Sequence, residues 1–198
     1  MDDQLYLGID PGHRGGAALL DVAGRITDAW RWRPGHDPMQ SYNNLYNYIN
    51  SGYKILSYIE HIRLYPRLPL PVLLNTQNLL LNAGQWQALL DLLRIPYTQI
   101  TPGDWQARYG LTHWRKRQAR IITLARGTSL PDLTSPLALA RHLWPDAPLQ
   151  SQADDGIAVA LLLADLARRD HQAPVAAQAP LPLTTTSQRR RNSRRRTK

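Results

Sequence analysis

Cysteine and phenylalanine are both absent from this 198-residue chain, and methionine occurs only twice. Without cysteine there is neither a disulfide framework nor a thiolate metal site, and the expected setting is a reducing cytoplasm. Without phenylalanine the core aromatics must come from six Trp and nine Tyr, whose polar tips favour partly buried sites or contact surfaces. Long apolar runs are missing too. The longest, "IAVALLLA" at 157–164, is far below the ~20 residues of a bilayer span, and no basic patch followed by an apolar stretch stands at the N-terminus. These absences predict a soluble protein with no membrane partner. The hydrophobic content of 43% suffices for one compact domain and hardly for two.

The formal charge is +9, but its distribution matters more than its size. The segment "SQRRRNSRRRTK" at 187–198 holds six Arg, one Lys and no acid, leaving +2 for everything before it. A run of like charges behind the Pro-, Ala- and Thr-rich "APVAAQAPLPLTTT" cannot collapse. Residues 171–198 are therefore expected to form a flexible linker and a disordered arm behind a domain spanning 1–170. Such an arm is either a solvated tail or a binder of polyanions, gaining affinity by releasing counterions from phosphates.

Along the domain, "QLYLGID", "GGAALLD" and "RITDAWRW" read as three antiparallel strands, with "VAG" turning between the last two. "MQSYNNLYNYIN" has Tyr42, Leu45 or Tyr46, and Ile49 at helical spacing, and Gly52 ends it. "YKILSYIEHI" then reads as a strand returning parallel to the first, which puts Asp10 and Glu60 at one sheet edge. Leu79, Ala83, Trp86, Leu90 and Leu93 mark an amphipathic helix over 76–94, and "IPYTQI" is a fifth strand. "GDWQARYG" reads as a turn and "HWRKRQARIITLAR" as a basic helix. After a Pro-punctuated region, a last helix runs over 154–169 behind a capping box at Ser151 and Asp154. The fold class is thus α/β, with a five-stranded mixed sheet, three antiparallel strands then two parallel, flanked by helices.

"LYLGIDPGHRGG" ends its strand on an aspartate followed by glycines, so Asp10 stands beside backbone that a phosphate can approach closely. A capped turn would use the same Asp. Glu60 sits in the apolar "SYIEHI", where an ionised carboxylate is costly unless something positive meets it. Neighbouring strands ~4.8 Å apart would bring it beside Asp10. Two adjacent carboxylates raise each other's pKa, and a divalent cation between them reverses the problem. Asp154 and Asp155, at the start of the last helix, are further candidates. Oxygen-only ligation suits Mg2+ or Mn2+, and the six scattered His show no zinc-like spacing. Two-metal phosphodiester hydrolysis is the chemistry such a set performs.

Five stretches, "LGIDPG", "YIEHI", "Y-x-x-ITPGDWQ" from Tyr97, "ARHLWPD" from Ala140 and "ADDGIAVALLLA" from Ala153, in this order and spacing resemble a RuvC-like Holliday junction resolvase of the RNase H-like superfamily, nearer its phage and organelle branch. The resemblance spans roughly residues 4 to 168. It implies an RNase H-like fold, a homodimer, two magnesium ions per site and no nucleotide cofactor. It also implies paired cuts in four-way DNA junctions, in a bacterial or phage-infected cytoplasm near the nucleoid or in an organelle. Carried over, Asp10 and Glu60 match the first two catalytic, metal-holding acids. The last helix departs from the pattern, with adjacent Asp154 and Asp155 and then Val159 where a second acid is expected. Aligned on "DG" the ligand is Asp155; aligned on "QAD" it is Asp154. Asp155 is favoured, with Asp154 assisting or capping the helix.

Lys116 lies where related proteins place a basic residue near the scissile phosphate, with Arg115, Arg117 and Arg120 around it; a solvated helix face is the plainer reading. After Glu60, Tyr65 is the candidate to stack at the junction centre, flanked by Arg63. His13 and Arg14, beside Asp10, meet phosphate or only solvent. Trp86, Trp105 and Trp144 read as core or helix-packing residues, although Trp86, with Gln85, is also a candidate for the dimer surface. Two other readings compete: a catalytically impaired branched-DNA or RNA binding module of the same fold, and, more remotely, an actin-like ATPase.

Overall fold

The computed structural model describes residues 3–32, 38–62, 70–111 and 135–173, with only the helical backbone described for 70–75. Strands β1 (Gln4–Asp10), β2 (Gly16–Leu20) and β3 (Ile26–Arg31) are followed by helix α1 (Pro38–Asn50), β4 (Lys54–Glu60), α2 (Leu70–Leu92) and β5 (Tyr97–Ile100). Helices α3 (Pro102–Arg108) and α4 (Pro136–Leu143), a 3-10 turn (Gln152–Asp154) and α5 (Asp155–Gln172) complete the order. The sheet runs β3-β2-β1-β4-β5, with β1, β2 and β3 antiparallel and β4 and β5 added in parallel. This is the five-stranded mixed sheet that the hydrophobic patterning predicts.

Central β1 is buried on both faces, which explains its unbroken apolar run. One face sets Leu5, Leu7, Ile9, Leu19, Ile55 and Ile59 against Leu45 of α1 and Trp86, Leu89 and Leu90 of α2. On the other face α5 lies directly on β1 and β2, and it is buried nearly all round from Gly156 to Ala167. Glycines make that approach possible. A Cβ on Gly8 would stand 1.8 Å from the Ala160 carbonyl oxygen, and one on Gly156 would stand 2.0 Å from that of Arg14.

Five expectations need correction. Helix α2 starts at Leu70 rather than 76, because Pro71 is tolerated in a first turn and does not break the helix there. The stretch read as a turn is α3, started by Thr101 as N-cap with Pro102 behind it, and the Pro-punctuated region contains α4, started in the same way by Ser135 and Pro136. Proline at the first helical position lacks only an N–H that would have no partner anyway. Trp86 is fully buried in the core, so of the two residues considered for an outer surface only Gln85 is exposed. Finally, the capping box of Ser151 and Asp154 closes the 3-10 turn, and α5 itself begins at Asp155.

Candidate active site

The carboxyl ends of β1 and β4 meet at one rim. Ile9 pairs with Ile59 in parallel register, so Asp10 and Glu60 leave the sheet side by side. Gly8, two residues before Asp10, faces α5, and strand alternation therefore puts Asp10 on the α5 face as well. The β1–β2 turn is tied to the start of α5 by a parallel bridge between Gly15 and Gly156, which holds Asp155 at the same rim. Asp10 and Glu60 are half-buried, and Asp155 is exposed.

Each of the paired carboxylates has one oxygen fixed by a neighbour. The Gly12 N–H donates to Asp10 Oδ1 at 2.8 Å, and the Trp105 indole donates from Nε1 to Glu60 Oε1 at 2.8 Å. Trp105 thus does more than pack: buried on α3, it sets the orientation of Glu60. The Thr101–Pro102 pair in the sequence is a helix-start signal, but it suits a turn as well, and nothing in it tells where the indole points. Val159, standing where a further acid was expected, is buried with Trp105, Ile100 and Leu111.

The electrostatics of these acids differ from those of the other buried carboxylates. Burial, then the charge of Glu60, pushes Asp10 up from 3.8 to about 7, against the pull of the Gly12 N–H, and the charge of Asp155 adds to the rise. Glu60 is raised by burial, against the Trp105 hydrogen bond. Asp165, by contrast, is paired with Arg168 and Arg169, and Asp154 with Arg31. Among the described residues no cation forms an ion pair with Asp10 or Glu60.

An acid with a raised pKa holds its proton more tightly in the folded state than in the unfolded one. The metal-free fold therefore loses stability as pH climbs from about 4 to about 7, by on the order of 4 kcal/mol at most. Asp10→Asn is expected to raise the melting temperature in chelator at pH 8 and to leave it nearly unchanged near pH 4. Thermal unfolding of the two chains at both pH values checks this, and an equal shift at both would contradict it.

Asp154 is placed differently from its neighbour. It is 1% exposed; its Oδ2 accepts from the backbone N–H groups of Gln150 and Ser151, and its Oδ1 accepts from the Arg31 guanidinium. Burial opposes its ionisation, yet the Ser151 N–H and Arg31 hold its pKa below the ordinary value. These partners are those of a cap and an ion pair. Arg31 itself was not singled out from the sequence, since its partner lies 123 residues away.

His13 and Arg14 are exposed on the turn after Asp10. Lys116, Arg115, Arg117, Arg120, Tyr65, Arg63 and the arm at 187–198 lie outside the described residues. Among the described residues, no group of three or more His, Asp or Glu could hold a metal ion as they stand.

No protein-family model matches the chain, and no curated protein matches it. Among solved structures it is similar to Thermus thermophilus RuvC in complex with Holliday junction substrate, at 13% identity and a TM-score of 0.48, over 84% of this chain and 95% of that one. It is also similar to a second Thermus thermophilus RuvC structure, at 15% identity and a TM-score of 0.44, over 84% of this chain and 96% of that one.

Proposed function

We propose that this chain is a structure-selective, divalent-metal-dependent endonuclease that resolves four-way DNA junctions by paired phosphodiester hydrolysis, acting as a homodimer. The observation that carries this reading is the pairing of Asp10 with Glu60. Both are raised by burial, neither is ion-paired to a cation among the described residues, and the charge of Asp155 bears on Asp10. Buried carboxylates in that state are relieved by a hard dication, and an all-oxygen set suits Mg2+, with Mn2+ as a substitute. Asp10, Glu60 and Asp155 would hold the ions, and Asp154 would support them from its cap. Bound ions would supply an activated nucleophile and neutralise charge building on the phosphate.

The chain's own groups do the positioning. The Gly12 N–H and the Trp105 indole each fix one carboxylate oxygen, so little reorganisation is left for the moment of reaction. Gly12 carries no side chain over the Asp10 carboxylate, where a Cβ would stand 2.9 Å from Oδ1, so a phosphate can approach there, and exposed Arg14 lies on the same turn. Lys116 with Arg115, Arg117 and Arg120, and Tyr65 with Arg63, are the proposed DNA contacts. For the homodimer, support comes from the outward strip of α2. There Leu81 is 59% and Leu92 71% exposed, with Gly84 and Ala88 also exposed between them. A second copy would cover that strip, and its two-fold axis would match the near two-fold symmetry of an open junction.

A second reading, a binding module without efficient cleavage, is favoured by the apolar Val159 and by the lack of a ready three-acid group among the described residues. Incubating the full chain with a synthetic four-way junction and Mg2+ tests both readings: paired nicks are expected, and binding without nicking would favour the module. The arm is tested by salt. Removing residues 187–198, which carry seven positive charges, is expected to flatten the plot of log affinity against log salt by up to about 6. An unchanged slope would make the arm a bystander.

A further inference from the structure

Arg31 ends β3 in the same cross-strand row as Asp10. Asp10 pairs with Gly16, and Gly16 pairs with Arg31, which puts the two residues two strands, about 10 Å, apart on one face of the rim. Between them lies only a glycine, whose Cβ would stand 2.8 Å from the Ile157 backbone nitrogen of α5. The start of that helix therefore sits directly on the row, within reach of Arg31. Its Nε and Nη2 both donate to Asp154 Oδ1, while the other oxygen of the same carboxylate closes the capping box. The next residue is Asp155, and the one after it is bridged to Gly15.

We infer that Arg31 is a positioning residue for the metal centre: its ion pair with Asp154 fixes the first turn before α5, so that Asp155 is delivered beside Asp10 and Glu60. The inference rests on the proposed function, since it needs Asp155 to be a ligand. Two adjacent acids then divide the work, the buried one locking the backbone and the exposed one facing the ion. A residue at the frayed start of a helix otherwise wanders, because its turn lacks the full set of intrahelical bonds. Clamping it from a second element removes that freedom before an ion binds. The same logic makes the partners of metal ligands matter about as much as the ligands.

The Trp105 indole, hydrogen-bonded to Glu60, supplies a reporter in the full chain. Terbium in place of magnesium should luminesce on indole excitation, and Mg2+ should compete it away. Arg31→Met is expected to weaken terbium and Mg2+ binding by at least about tenfold, measured well below its melting temperature. In an Asp155→Asn background the same change is expected to cost no further affinity, because the effect passes through Asp155. If Arg31→Met does not fold, Arg31→Lys keeps the charge, loses the forked geometry and should show a smaller loss of the same kind. Wild-type affinity in a folded Arg31 variant, or an equal loss with and without Asp155, overturns the clamp while leaving the metal reading intact. No Mg2+-competed signal from the wild type overturns the metal reading, and the clamp with it.

Discussion

An Asp10→Asn chain is expected to bind a four-way junction and leave it uncut, with cleavage down by about a thousandfold or more, equivalent to about 4 kcal/mol of lost transition-state stabilisation. The substitution keeps the size of the side chain, and an amide oxygen can still accept the Gly12 N–H that fixes Oδ1. What it removes is the negative charge. In the folded chain that charge is held against burial and against Glu60, an arrangement that costs stability and yields nothing unless a cation arrives. The same change should therefore stabilise the metal-free protein while disabling it, a stability gain at a functional position that core packing would not produce. Cleavage of a labelled junction at saturating Mg2+, read beside gel-shift affinity, is the measurement. Residual cutting within tenfold of the wild type would remove Asp10 from the reaction.

Gly8→Ala is expected to be the most damaging single-carbon change in the described part of the chain. Its Cβ would lie 1.8 Å from the Ala160 carbonyl oxygen and 2.5 Å from the Ala164 backbone nitrogen. Both are atoms of α5, which cannot yield by turning a side chain, and α5 is buried from Gly156 to Ala167 between the sheet and the other helices. Relief requires lifting the helix off β1. A cost of about 3 kcal/mol or more follows, lowering the melting temperature by roughly 6–12 °C for a chain of this size. Activity should fall further than stability, because the lifted helix carries Asp155 away from Asp10. Gly84→Ala is the matched control, read at concentrations where the chain is monomeric because Gly84 lies in the strip proposed to meet a second copy. A Cβ there meets nothing of its own chain within 4 Å, and in the monomer it should leave stability unchanged or raise it by up to about 1 kcal/mol. Thermal unfolding of both variants checks the pair, and equal behaviour would contradict the close approach at Gly8.

The placement of the two candidate carboxylates was legible from residue chemistry and spacing. A carboxylate inside an otherwise apolar strand is conspicuous because it is expensive, and Glu60 announced itself that way. Asp10 was marked by the glycines behind it. Parallel return after a helical crossover then put the two at one rim, as the Ile9 to Ile59 register bears out. The short helices α3 and α4 carried readable start signals, Thr101 with Pro102 and Ser135 with Pro136, but proline in a short polar stretch also suits a turn. Only packing against α5 decides between the two. Trp105 read as a core residue and is buried as one; that its N–H reaches Glu60 depends on the path of the chain from β5 into α3.

By itself the sequence determined which segments bury which faces, and hence the five-stranded mixed sheet and the rim where Asp10 and Glu60 meet, because hydrophobic period and the high cost of a buried charge are local properties of a strand or helix. Only the tertiary structure decided the division between Asp154 and Asp155. Adjacent on the chain and alike in chemistry, they part company because one meets Arg31 from a strand more than a hundred residues away while the other stays exposed at the rim. Such a distinction is made by contacts between elements remote in sequence, which no local pattern encodes.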